Sequence, residues 1–206
     1  AVLMPVLLFC KLDNVFVQLM IVSTVWMGVV GFIDDYLKIV KKFPKGLIGR
    51  YKLLGQIVLG LVVAITVTFT DVYSGVSWST DIPFLKGIMV NFSWFYIPMV
   101  ILVITGTSNA VNLTDGLDGL AIGLVGIAAG AWAVISYISG NAVLSEYLDQ
   151  LSLAGAGELV VYCAALIGAA LGFLWFNSHP ATVFMGDTGS LAIGGAMGTL
   201  AVVLKR

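Results

Sequence analysis

The stretch from Asn14 to Asp35 reads NVFVQLMIVSTVWMGVVGFIDD, which is twenty uncharged and mostly apolar residues followed by two adjacent aspartates. About 20 apolar residues are enough for an α-helix to cross the hydrocarbon core of a bilayer. The stretch therefore predicts a membrane-spanning helix that ends at a pair of carboxylates.

The same pattern recurs along the chain in uncharged stretches of 17 to 28 residues, the longer of which must also contain loop. We interpret residues Ala1–Cys10 as the end of one further helix. The predicted full helices are Val15–Ile33, Leu53–Phe69, Phe92–Gly106, Gly119–Ile138, Leu159–Phe176 and Ser190–Leu204.

The composition supports a membrane protein. Of the 206 residues 60% are hydrophobic and only 10% are charged, whereas a soluble domain carries roughly 25% charged residues. The net charge of −1 gives no basic surface for nucleic acid. Cys10 and Cys163 lie in apolar runs, and a single histidine, His179, excludes a His-rich metal centre within this span. We predict an all-α, polytopic transmembrane helical bundle with about six full helices and one partial helix.

Residues 1–206 are expected to form one integral membrane domain, and only part of it. The sequence does not begin with Met, and it opens and closes at the edges of apolar segments. We therefore expect it to be the middle of a longer protein.

Basic residues give the predicted orientation. Cytoplasmic loops of membrane proteins carry an excess of Lys and Arg. Six of the ten in this chain fall in one short region, which we predict to be cytoplasmic: Lys38, Lys41, Lys42, Lys45, Arg50 and Lys52. Alternation then predicts that loops Thr107–Asp118 and Asn177–Gly189 are cytoplasmic too, and that Asp71–Asn91 and Ser139–Glu158 lie on the opposite side.

Five aspartates fall on the predicted cytoplasmic side, each at the end of an apolar helix: Asp34, Asp35, Asp115, Asp118 and Asp187. For any one of them, capping a helix N-terminus is an equal alternative. Together, carboxylates from three loops predict a site for a hard divalent cation such as Mg²⁺. Asn109 and Asn112 precede Asp115 at three-residue spacing, and amides of this kind suit a sugar or a base edge.

Smaller features give local predictions. Residues 71–86 predict a small hairpin, and Glu146–Leu153 a short interfacial helix. Pro98 is expected to kink its helix, and His179 to be an interfacial polar residue rather than a substrate contact. Small residues four apart allow close helix packing, and they occur at Gly119/Gly123, Gly126/Gly130 and Gly194/Gly198.

Several blocks in the same order resemble one enzyme family. They are GFIDDY (31–36), KGL (45–47), NAVNLTDGLDGLA (109–121), NSHPA (177–181) and VFMGDTGS (183–190). The chain resembles the phospho-N-acetylmuramoyl-pentapeptide transferases, a branch of the polyprenyl-phosphate hexosamine-1-phosphate transferases, over nearly its whole length.

The resemblance implies an integral membrane enzyme of ten helices in the bacterial cytoplasmic (inner) membrane, with its active site on the cytoplasmic face. Such enzymes use Mg²⁺ to transfer phospho-MurNAc-pentapeptide from UDP-MurNAc-pentapeptide to undecaprenyl phosphate. The products are UMP and lipid I, a precursor in peptidoglycan synthesis. Membrane lipid is the expected surrounding, and the resemblance allows a homodimer. Because family elements at both ends are missing, the segment alone is expected to be inactive.

The resemblance also implies roles for particular residues. Asp187 is implied to bind Mg²⁺, and Asp34 and Asp35 to form a catalytic acidic pair near the lipid phosphate. The implied substrate-binding residues are Asn112, Asp115, Asp118, Asn177, Lys45 and Phe184, the last as the ring that stacks on uracil. A direct transfer and a covalent aspartyl-phosphate route both stay open.

Two other functions fit some of the same features. One is a sibling transferase that uses UDP-GlcNAc. The other is a cation-coupled transporter, in which acids and broken helices also occur, although transporter sites lie near the bilayer midplane.

Overall fold

The computed structural model describes residues 1–81 and 89–206. Within these ranges the chain forms eight α-helices and one two-stranded hairpin. The helices are α1 (Leu3–Phe9), α2 (Val15–Ile39), α3 (Gly49–Phe69), α4 (Tyr96–Thr114), α5 (Leu120–Ser139), α6 (Ala142–Tyr147), α7 (Leu159–Asn177) and α8 (Gly186–Val203).

Five helices of the described part are long and apolar enough to cross a membrane: α2, α3, α5, and α4 and α7 with the turns before them. Large apolar side chains on their outer faces are exposed, including Leu102 at 72%, Ile127 at 75% and Leu171 at 66%. A surface this apolar suits lipid and not water. The prediction of an all-α, polytopic transmembrane bundle is therefore confirmed.

Helix α8 corresponds to the sixth predicted segment and lies inside the bundle, where it packs mainly against α2 and α4. Small residues allow this close approach. A Cβ at Gly194 would lie 2.7 Å from the Cα of Ser108, and one at Gly198 would overlap the side chain of Thr107. Most of α8 is buried as a result, and its neighbours are helices on nearly every side.

In the other two pairs only one glycine lies against a neighbouring helix. A Cβ at Gly119 would lie 3.2 Å from Leu174, and one at Gly126 would lie 3.4 Å from the Cβ of Ala170, both on α7. A Cβ at Gly123 or Gly130 would meet none of the described atoms within 4 Å, so the packing predicted for the pairs holds for Gly119 and Gly126 and is wrong for Gly123 and Gly130.

Three helices are longer than predicted, because they include charged and polar residues beyond the apolar segment. Helix α2 continues through Asp34 and Asp35 to Ile39, so the prediction that the aspartate pair ends a helix is wrong. Likewise α4 extends to Thr114, and α8 begins at Gly186. A charge ends the lipid-facing segment, but helical hydrogen bonding continues where side chains find partners or water.

The start of α4 also differs from its prediction. Residues Ser93–Phe95 form a 3₁₀ turn, and the α-helix begins at Tyr96. Pro98 therefore falls in the first turn, where backbone N–H groups have no partner within the helix. It removes no helical hydrogen bond, so the reason for the predicted kink disappears.

The end of the bundle away from the aspartates holds the hairpin and α6. Strand β1 (Ser79–Asp81) pairs antiparallel with β2 (Met89–Asn91), and residues 82–86 of the predicted hairpin lie outside the described residues. The predicted short helix lies earlier, at Ala142–Tyr147, because the side chain of Asn141 caps its N-terminus.

A buried lysine joins this hairpin region to the end of α8. The ammonium of Lys205 donates to the carbonyl of Ser77 (2.6 Å) and the hydroxyl of Tyr96 (2.9 Å). It also lies 4.2 Å and 5.0 Å from the ring centres of Tyr96 and Tyr73. Burial lowers the pKa of Lys205 to about 7, while the carbonyl and the two rings favour its charged form.

We predict that this lysine makes stability depend on pH. Between about pH 7 and about pH 10 an unfolded chain binds the lysine proton and the folded chain does not, so the free energy of unfolding rises with pH. The gain is up to about 3 kcal/mol from pH 7 to pH 9.5, since one pKa unit is about 1.4 kcal/mol. Thermal unfolding in detergent at several pH values measures it.

The control compares Lys205→Met with Lys41→Met, which removes an exposed lysine. The free energy of unfolding should still rise with pH in Lys41→Met as in the wild type. In Lys205→Met this rise should disappear. An equal pH dependence in all three proteins would show that Lys205 is not its source.

Candidate active site

Three aspartates that are distant in sequence meet at one end of the bundle. Asp34 and Asp35 come from the last turns of α2, and Asp187 from the first turn of α8. One carboxylate oxygen from each lies within 4.8 Å of the others. Asp34 is fully buried, and Asp35 and Asp187 are partly buried. The expectation that these acids share one end of the protein is confirmed.

Asp35 holds the start of α8. Its carboxylate accepts hydrogen bonds from the backbone N–H groups of Asp187 (3.3 Å) and Thr188 (2.8 Å), and from the Thr188 hydroxyl (2.6 Å). These are contacts of a helix cap, here supplied by a neighbouring helix. The close approach of the two helices requires Gly31, because a Cβ there would overlap the backbone of Asp187 and Thr188.

Two lysines bridge the other two carboxylates. The ammonium groups of Lys38 and Lys52 lie 2.9 Å and 2.7 Å from Oδ2 of Asp187, and both also pair with Asp34. Three carboxylates against two ammonium groups leave one net negative charge in the cluster. The cluster is therefore suited to a cation.

Asn112 connects α4 to the cluster. Its amide nitrogen donates to Oδ1 of Asp187 (2.8 Å) and to the hydroxyl of Ser190 (2.8 Å). Asn112 lies on α4, whereas the sequence predicts a loop from Thr107 to Asp118. Its position fixes the orientation of the Asp187 carboxylate.

Asp115 lies just after α4 and is partly buried. Burial raises its pKa, and the negative charges of Asp187 and Asp35 raise it further. The effect of those charges places Asp115 within electrostatic reach of the cluster.

Asp118 and Asn177 form a second group, away from the carboxylate cluster. Oδ2 of Asp118 accepts the N–H of Ala181 and lies 3.1 Å from Nδ1 of His179. The Ala181 N–H, and then His179, lower the pKa of Asp118. Asn177 is buried, and its amide accepts the backbone N–H of Gly119 and donates to the backbone carbonyl of Val183.

The two remaining predicted site residues are exposed. Phe184 is 72% exposed in the loop before α8, and Lys45 lies in the exposed loop between α2 and α3. Neither joins the carboxylate cluster, so their predicted contacts with substrate stay predictions.

Two important members of the cluster were missed from sequence. Lys38 had a usable signal, because it follows Asp34 by one helical turn. Lys52 had none, since only the packing of α3 against α2 and α8 brings it to Asp187. As members of the basic region 38–52, both residues indicate membrane orientation and could equally attract anionic lipid or a phosphorylated substrate, but neither is predicted to pair with Asp187.

The arrangement can bind a metal–phosphate group. Carboxylate oxygens are the ligands that hard cations such as Mg²⁺ prefer, and flanking ammonium groups attract phosphate oxygens. The site lies where α2 ends and α8 begins.

Curated relatives share this sequence over nearly its whole length. The phospho-N-acetylmuramoyl-pentapeptide-transferase of Thermodesulfovibrio yellowstonii is 53% identical over 208 residues, which is 100% of this chain and 57% of the relative. The enzymes of the same name from Chlorobium phaeobacteroides and Geobacter sp. are 49% and 52% identical, over 97% and 100% of the chain and 54% and 56% of the relative.

The chain thus spans about half the length of the curated relatives it matches. A sequence profile described as glycosyl transferase family 4 matches residues 17–205. This match covers more than nine-tenths of the chain and includes every member of the carboxylate cluster. The chain belongs to glycosyl transferase family 4.

Proposed function

We propose that the enzyme containing this segment transfers phospho-MurNAc-pentapeptide from UDP-MurNAc-pentapeptide to undecaprenyl phosphate, which gives lipid I and UMP. Relatives that are about half identical to this chain are named phospho-N-acetylmuramoyl-pentapeptide-transferases, which supports this proposal. The observation that carries it is the cluster in which Lys38 and Lys52 flank the carboxylate of Asp187.

The chemistry of the reaction suits such a cluster. Phosphoryl transfer needs charge neutralisation and alignment of the reacting groups more than covalent assistance. Lys38 and Lys52 would bind the oxygens of the diphosphate. In doing so, the two lysines would exchange a carboxylate partner for a phosphate partner. Asn112 would keep the Asp187 carboxylate in a fixed orientation during that exchange.

Mg²⁺ fits the same residues. Three carboxylates with oxygens within 4.8 Å, and an excess of one negative charge, form a suitable donor set. We propose that Asp187 holds the ion, with Asp34 beside it. The bound ion would neutralise the diphosphate and stabilise UMP as the leaving group.

The two neighbouring aspartates have different contacts and, we propose, different roles. A phosphate with a second pKa of about 6 is mostly ionised at neutral pH, so little proton abstraction is needed. Asp34 would act chiefly by directing Lys38 and Lys52 toward the reacting phosphates. Asp35 would act as a positioning residue, through its hold on the start of α8.

The nucleotide would lie next to this cluster. Phe184 presents an exposed ring three residues before Asp187, and stacking on an aromatic ring is worth about 1–3 kcal/mol per base. Asp115 and Asp118 lie in the neighbouring loop. These residues would form the uracil and sugar region of the site.

The direct test compares two donors. A full-length enzyme carrying this segment should transfer from UDP-MurNAc-pentapeptide and not from UDP-GlcNAc when undecaprenyl phosphate is the acceptor. We also propose that residues 1–206 alone do not turn over, since the relatives are nearly twice as long. Preferential use of UDP-GlcNAc would assign the protein to the sibling activity.

Asp187→Asn should reduce turnover in the same enzyme by about 100- to 10,000-fold, because Lewis-acid stabilisation worth several kcal/mol is lost. Binding of Mn²⁺, followed by electron paramagnetic resonance, should weaken in parallel. The matched control is Asp71→Asn, an exposed aspartate at the opposite end. Normal turnover of Asp187→Asn at ordinary Mg²⁺ concentrations would refute its role.

We further propose a bacterial inner-membrane location with the site facing the cytoplasm. A cysteine at Lys41, between α2 and α3, should react only with reagents that enter the cell. A cysteine at Ser74, at the opposite end, should react with impermeant reagents in intact cells. Both variants carry Cys10→Ala to remove the half-exposed native thiol. The reverse labelling pattern would show that the orientation is opposite to the one proposed.

A further inference from the structure

A buried amide lies about one helical turn below the carboxylate cluster. Gln56 of α3 is only 1% exposed and follows Lys52 by four residues on the same helix. Its Oε1 accepts a hydrogen bond from Nδ2 of Asn109 (3.1 Å), and its Nε2 donates to Oγ of Ser108 (3.4 Å). Both partners lie on α4, so the amide joins α3 to α4.

The same contacts reach α8. Ser108 is fully buried, and its Oγ lies 3.5 Å from the carbonyl oxygen of Leu191. Leu191 follows Asp187 by four residues on α8, and Ser108 precedes Asn112 by four on α4. Each of these contacts thus lies about one turn from a member of the cluster on the same helix. The polar layer, as it is called here, consists of Gln56, Ser108, Asn109 and the carbonyl of Leu191.

Close packing sets the separation of α3 and α4, and the polar layer sets their rotation. One turn beyond Gln56, a Cβ at Gly60 would lie 2.8 Å from the Cα of Ile101, so the two backbones come close together. Apolar contacts are non-directional and resist separation of two helices better than rotation. Hydrogen bonds require particular distances and angles. The bonds of Gln56 to α4 therefore fix the rotation of α3 about its own axis.

The position of Lys52 depends on that rotation. Helix α3 carries Lys52, whose ammonium lies 2.7 Å from Oδ2 of Asp187. Asn112 and Asp187 come from α4 and α8 and are bonded directly to each other. We propose that Gln56 is a positioning residue that directs the Lys52 ammonium toward Asp187 and the diphosphate oxygens, by fixing the rotation of α3 against α4. This inference rests on the proposed function.

The physical reason is the cost of an unpaired buried amide. Rotation of α3 would break the bonds of Gln56 and leave its amide among apolar side chains, which is unfavourable. The amide therefore resists any rotation that would carry Lys52 away from Asp187. Because Gln56 acts through the helix, it needs no contact with the substrate.

A double-mutant cycle tests the proposal in a full-length enzyme carrying this segment. Gln56→Met keeps the length of the side chain and removes both hydrogen bonds. It should lower kcat by about 10- to 100-fold, since a misplacement of about 1 Å costs roughly that much, while KM for either substrate changes less than about threefold. In a Lys52→Met background the same substitution should lower kcat by less than about twofold, because its effect passes through the ammonium.

Chemical labelling gives a readout that is independent of activity. The Lys52 ammonium contacts Asp34 and Asp187 at 2.9 Å and 2.7 Å, so an amine-reactive reagent should label it slowly in the wild type. In Gln56→Met its labelling, measured by mass spectrometry relative to the exposed Lys41, should rise about three- to tenfold. A factor of this size is the effect of one typical hydrogen bond on a population.

Thr199→Val is the matched control. Oγ1 of Thr199 is buried and donates to Oγ of Ser23 (2.8 Å), so this variant also removes a buried contact between two helices. Thr199 follows Asp187 by twelve residues, which is about 18 Å along α8. Both Thr199→Val and Gln56→Met should unfold at a lower temperature in detergent. Only Gln56→Met should show a lower kcat and faster labelling of Lys52.

Asn109→Ala serves if Gln56→Met fails to fold. Asn109 is exposed, so this substitution removes the 3.1 Å contact with Gln56 and leaves the buried packing in place. It should lower kcat and speed the labelling of Lys52, and its loss of kcat should be less than additive with that of Lys52→Met.

The outcomes separate this inference from the proposed function. Additive losses of kcat from Gln56→Met and Lys52→Met, or equal labelling of Lys52 in Gln56→Met and the wild type, would overturn the positioning role of Gln56 while the proposed function stands. A wild-type enzyme without transfer from UDP-MurNAc-pentapeptide would overturn the proposed function, and the labelling would still test the position of Lys52. Less-than-additive losses together with faster labelling would support the inference.

Discussion

The hold of Asp35 on the first turn of α8 is the interaction on which the candidate site depends. Two backbone N–H groups and one hydroxyl donate to this carboxylate. A helix start that is partly buried leaves donors unsatisfied unless a partner is supplied, at about 1–3 kcal/mol for each group. By supplying that partner from α2, Asp35 fixes Asp187 beside Asp34.

Charge balance follows from this placement. Carboxylates brought together at the edge of a low-dielectric bundle repel one another unless cations lie between them. Lys38 and Lys52 provide this neutralisation and bridge two helices while doing so. The groups that stabilise the folded end are thus the same groups that are suited to bind a diphosphate, so stability and the proposed chemistry share one set of contacts.

Helix α8 is held at both ends. Asp35 fixes its start, and at its other end the hydroxyl of Tyr73 donates to the carbonyl of Val203 while Lys205 reaches Ser77 and Tyr96. Between these points the glycines of α8 allow neighbouring backbones to come close. A helix that is buried and fixed in this way presents Asp187 as part of a rigid framework, as a catalytic constellation requires.

The sequence by itself determined the all-α class, the positions of the apolar segments and the gathering of acids at one end, because apolar length and charge placement are local properties of the chain. The family resemblance pointed to Asp34, Asp35, Asp187 and Asn112, which the structure brings into one cluster. Only the tertiary structure decided that Asp35 caps α8, that Lys52 pairs with Asp187, and that Asn177 joins two loops. These contacts link residues 58 to 153 positions apart or depend on a buried amide orientation, and no local pattern encodes which helices pack closely enough to make them.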